Sequence, residues 1–92
     1  MGKNIILDQI ENTVNLLYQN KEKDGIAEVT KLISQFQNII QNMTESQLDS
    51  VGNFSLLMMR ELVENYEKQD VLGMADCLAE KAMIFVQFIS QT

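Results

Sequence analysis

Apolar residues recur along this chain at helical spacing. From residue 26, Ile26, Val29, Ile33, Phe36, Ile40 and Met43 follow at steps of 3, 4, 3, 4 and 3. That keeps all six on one face of a 3.6-residue helix and matches no strand alternation. Leu7, Ile10, Val14 and Leu17 repeat the pattern earlier, broadened by Ile6 and Tyr18. A third run reads Leu48, Val51, Phe54, Met58, Leu62 and Tyr66. The last carries two adjacent seams, Leu72, Ala75, Ala79, Ala82, Val86 and Ile89 beside Val71, Met74, Leu78 and Phe85. Alanines at three successive seam positions let a neighbouring helix come close.

Polar residues punctuate the runs, because the chain has no proline. Asn20 to Gly25 forms the first break, with Asp24 expected to cap the helix that follows. Thr44-Glu45-Ser46-Gln47 fits a capping box, in which the Thr44 hydroxyl accepts an amide while the Gln47 side chain reaches back. Lys68-Gln69-Asp70 forms the last break, with Asp70 in the role of Asp24. The spacing predicts helices over 4–20, 24–43, 45–67 and 70–90. Gly52 costs about 1 kcal/mol relative to alanine inside a helix, so the third helix is expected to kink there or to begin after it. Short connections make consecutive helices antiparallel, and one apolar stripe per rod is best buried in a bundle. The expectation is all-α: a single domain over residues 1–92 folded as an antiparallel up-down four-helix bundle.

Composition narrows the chemistry. Histidine is absent, which removes histidine-based nucleophile systems and zinc sites. The single cysteine, Cys77, has no partner for an internal disulfide and no histidine to activate it; it reads as a small packing residue. The net charge of −6 is the wrong sign for neutralising phosphates, so nucleic acid is not an expected partner. The longest unbroken apolar run, Ala82-Met83-Ile84-Phe85-Val86, falls far short of a membrane span, and no secretory h-region is present. No membrane partner and a cytoplasmic location are expected.

Two stretches carry more apolar surface than one stripe needs. Leu56-Leu57-Met58-Met59 places four apolar side chains about 100° apart, nearly all round the helix. Ala82–Val86 with Phe88 and Ile89 does the same near the end of the chain. Surplus apolar surface usually marks contact sites, and methionine suits adaptable ones. The expected contact residues are Leu56, Leu57, Met59, Ile84 and Phe88, binding a protein partner or a second copy in a homodimer, with no catalytic residue and no cofactor.

The rival reading rests on carboxylates. Glu61, Glu64 and Glu67 form a Glu-x-x-Glu-x-x-Glu run, and Asp76 and Glu80 stand four apart on the next helix. Opposed across a hairpin, Glu61, Glu64, Asp76 and Glu80 offer oxygen ligands for Mg²⁺. Here the chain resembles the all-α nucleotide pyrophosphohydrolases, which implies a Mg²⁺-dependent hydrolase. That family's motif opens with paired glutamates, where this sequence has Arg60-Glu61, and closes with Glu-x-x-Asp, where it has Asp76-x-x-x-Glu80.

Two other resemblances cover one hairpin each. The stretch from Lys68 to Glu80, a charged turn ending in aspartate before an apolar helix bearing a further aspartate and glutamate, is similar to small uncharacterised bacterial acidic helical-bundle domains and implies no function. Leu17-Tyr18 through Lys23-Asp24 to Ile33, Phe36 and Ile39 resembles, in layout, small acidic export chaperones of the flagellar type. That resemblance implies an adaptor or chaperone-like role, holding a partner's helix in an apolar groove.

Overall fold

The computed structural model describes residues 4–91. Helix α1 spans Ile5–Tyr18, α2 Glu22–Gln41, α3 Glu45–Glu67, α4 Val71–Cys77 and α5 Met83–Gln91. Between α4 and α5 the chain makes a π turn, Leu78–Ala82, in which the Met83 N–H reaches the Leu78 carbonyl five residues back. Leu78 and Met83 both keep right-handed helical torsions, so α4, the π turn and α5 run on as one rod, here the fourth rod. The described residues are all-α, four rods with no strand.

Local chemistry sets the ends. Asn4 caps α1, its side chain accepting from the Ile6 and Leu7 amides at 3.0 and 3.2 Å. Thr44 and Gln47 form the reciprocal box at α3, with bonds of 2.9 and 3.1 Å, a cap that contributes about 1 kcal/mol. Asp70 caps α4 by accepting from the Gly73 amide at 2.9 Å. Asp24 does not cap α2. That helix starts two residues earlier, at Glu22, and Asp24 sits inside its first turn.

The early start follows from how α1 stops. Lys21 N–H bonds to the Leu16 carbonyl at 3.0 Å and Asn20 N–H to that of Leu17 at 3.2 Å, a Schellman closure with Asn20 in the left-handed region at φ 62°. The closure turns the chain back on itself within three residues, and Lys21 leads straight into α2. The same device ends α3. Asp70 N–H bonds to the Asn65 carbonyl at 2.8 Å, Gln69 N–H to that of Tyr66 at 3.1 Å, and Gln69 takes φ 55°.

Packing closes a ring. α1 touches α2 and the fourth rod, α3 touches the same two, and among the described residues α1 and α3 do not meet. The molecule measures 38 × 31 × 19 Å, about two helix diameters in its thinnest direction. Phe36 of α2 and Phe85 of α5 meet edge to face across the interior, centroids 6.5 Å apart, surrounded by fully buried Ile10, Leu17, Val29, Leu32, Met58, Leu62, Met74 and Leu78. Gly25 lets α1 and α2 close: a Cβ there would stand 2.6 Å from a methyl of buried Leu17.

The buried seams differ from the spacing-based ones in register. α3 runs unbroken through Gly52, which is itself buried, as is Ser55, whose hydroxyl donates to the Gly52 carbonyl at 2.7 Å. Leu48 and Leu72, placed on seams by their spacing, are 47% and 62% exposed. Ala79 is also exposed, so only Ala75 and Ala82 of the alanine series lie inside. In α2 the seam runs Val29, Leu32 and Phe36, leaving Ile26, Ile33 and Ile40 half-buried on its edge, and Met43 is buried just beyond the helix end.

Candidate interaction surfaces

Three of the five expected contact residues stand well out of the core: Leu56 is 61% exposed, Leu57 60% and Ile84 57%. Met59 and Phe88 are half-buried, and Met59 packs against the core. The five residues do not form one patch. Leu56 and Met59 border a cleft between α2 and α3 together with Ile40. Next to it lies a hollow of about 410 Å³ lined by Ile40, Leu48, Asp49, Gly52 and Leu56. Leu57 lies about 100° further round α3 and lines neither cleft. Ile84 and Phe88, four apart on α5, share a face of the fourth rod.

Ile40 and Leu48 are the site residues that spacing assigned to seams. A readable signal existed. Leu48, Gly52, Leu56 and Met59 recur at steps of 4, 4 and 3, a second apolar stripe that adjoins the buried one and shares Gly52 with it. The missing side chain of Gly52 makes the hollow: a Cβ there would meet only Leu48, at 3.8 Å.

The carboxylates are dispersed. Glu61 pairs across to Lys81 of the π turn, and the Tyr18 hydroxyl donates to Asp76, exposed on the fourth rod, at 2.7 Å. Among the described residues no three carboxylate or thiol groups converge as metal ligands, so Glu61, Glu64, Asp76 and Glu80 do not assemble into the expected set. The hydrogen bond to Asp76 raises the Tyr18 pKa, and the bond to Glu61 raises that of Lys81.

Cys77 is buried, its thiol 3.6 Å from the Met58 carbonyl. Burial, reinforced by the negative charge of Glu61, pushes the thiol up to about 12. A thiol held protonated is a weak nucleophile. Among the described residues no helix is long and apolar enough to cross a membrane. No family model, curated protein or solved structure matches the chain.

Proposed function

We propose that this chain is a non-enzymatic interaction protein, an antiparallel up-down four-helix bundle of the cytoplasm that binds a protein partner or itself through apolar faces of α3 and the fourth rod. One observation carries the reading. Among the described residues sixteen apolar side chains are buried, while Leu56, Leu57 and Ile84 each remain more than half exposed. Folding therefore gains little from these three, and water around them is released only on association.

The up-down arrangement draws on the cross-links between rods. Asn4 bonds to Ser90 and Tyr18 to Asp76, so fourteen residues forward along α1 match fourteen back along the fourth rod. Asn65 approaches Gly73 and Glu61 pairs with Lys81, which supports opposite directions for α3 and the fourth rod as well.

Molar mass in solution over a wide concentration range, together with binding of an apolar dye, tests the reading. Association or dye binding is expected, and Leu57→Glu, Ile84→Glu or Phe88→Glu should reduce one or both with helicity unchanged by circular dichroism. A chain that stays monomeric at high concentration and binds no dye overturns it.

A further inference from the structure

We infer that the α3 face bearing Leu56 is the contact of a two-fold homodimer, in which Leu56 of each copy enters the hollow over Gly52 of the other. The inference rests on the interaction reading and names the partner for one of its surfaces: a second copy of this chain.

The stripe is complementary to itself when reversed. Asp49, Gly52, Leu56 and Arg60 fall at steps of 3, 4 and 4, within about 80° of arc on α3. Two copies of α3 laid antiparallel, with their two-fold axis crossing at the level of residue 54, place Leu56 over the partner's Gly52 and Asp49 opposite the partner's Met59, one residue or about 1.5 Å along the axis from the partner's Arg60. Both pairs then occur twice, as an isologous contact requires. The hollow suits the role. It is floored by a residue without a side chain, walled by Ile40 and Leu48, and flanked by the protruding Leu56.

Charge argues for the same register. From Leu32 through Met59 the chain has no lysine or arginine, and its acidic residues there are Glu45 and Asp49. Parallel packing of two such faces would set carboxylate against carboxylate, whereas the antiparallel register gives each Asp49 a cation. Asp49 and Arg60 are both exposed, and their side chains are free to reach across.

Sedimentation equilibrium on the full chain, with circular dichroism as a check on folding, tests this. The wild type is expected to dimerise, and Leu56→Glu to abolish the dimer while keeping full helicity. Asp49→Arg and Arg60→Asp each bring like charges together and should weaken the dimer about tenfold, as close interfacial charge pairs do. The double charge swap should restore it to within about threefold. A monomeric wild type that still binds an apolar dye overturns the homodimer and leaves the interaction reading standing; a monomer without dye binding removes both. A dimer indifferent to Leu56→Glu, or one in which the double swap fails to rescue, overturns the α3 contact.

Discussion

Four backbone positions show how single residues set the stability of this chain. Gln69 occupies the left-handed region at φ 55°, where a side chain with a Cβ costs roughly 1–2 kcal/mol. Gln69→Gly should raise stability by about 1 kcal/mol in urea unfolding, and Asn20→Gly by less, because asparagine tolerates that region. Gly25 and Gly52 should respond to alanine in opposite senses. Against fully buried Leu17 the new methyl has nowhere to go, and overpacking of about 1–3 kcal/mol outweighs the gain in helix propensity. At Gly52 the space is open, so Gly52→Ala should stabilise the monomer by about 0.5–1 kcal/mol. The same methyl partly fills the hollow that receives Leu56, so folding and dimerisation should move in opposite directions in that variant.

At the scale of the element, α3 and the fourth rod depart most from simple periodicity. α3 buries Gly52, Ser55, Met58 and Leu62, a seam two of whose four members are small, and its larger apolar residues are left on the flanks. Its start depends on the Thr44 box. Thr44→Ala should cost about 1 kcal/mol, read from the urea midpoint, and fraying at Glu45 should appear first in amide exchange. In the fourth rod the π turn keeps Leu78 and Ala82 inside at either end, while Ala79 and Glu80 turn out. Spacing alone treats such a stretch as one regular helix and misplaces Ala79, since an inserted backbone step leaves no mark on residue type.

For the whole molecule, titration adds an alkaline limit. Cys77 has its thiol raised from 9.0 to about 12, and Tyr18 and Lys81 are also raised. A group that holds its proton more tightly when folded contributes stability that is fully present below its unfolded pKa and lost as pH climbs through the folded one. The Cys77 contribution should therefore fade from about pH 9 towards 12, with smaller, solvent-screened losses from Tyr18 and Lys81. Urea midpoints at pH 8 and pH 10.5 should show the drop, and Cys77→Ala, though less stable at pH 8, should show a shallower one. Thiol-reactive reagent at pH 8 should label Cys77 only once the chain unfolds.

Helix positions and caps at Thr44 and Asp70 were legible in residue order because they depend on neighbours three or four residues away, within reach of local hydrogen bonds and the 3.6-residue repeat. The early start of α2 was not, since it follows from a left-handed Asn20 rather than from the capping ability of Asp24. The surplus of apolar side chains around residues 56–59 and 82–89 was also countable from composition. Which of them lie outside was decided by packing. Gly25 lets α1 and α2 approach closely, and α3 directs its Gly52, Ser55, Met58 and Leu62 face inward, which leaves Leu56 and Leu57 outside. The cleft beside Ile40 exists only because α2 and α3 lie side by side. Burial depends on the distance between rods, and that distance is set by residues far apart in the chain.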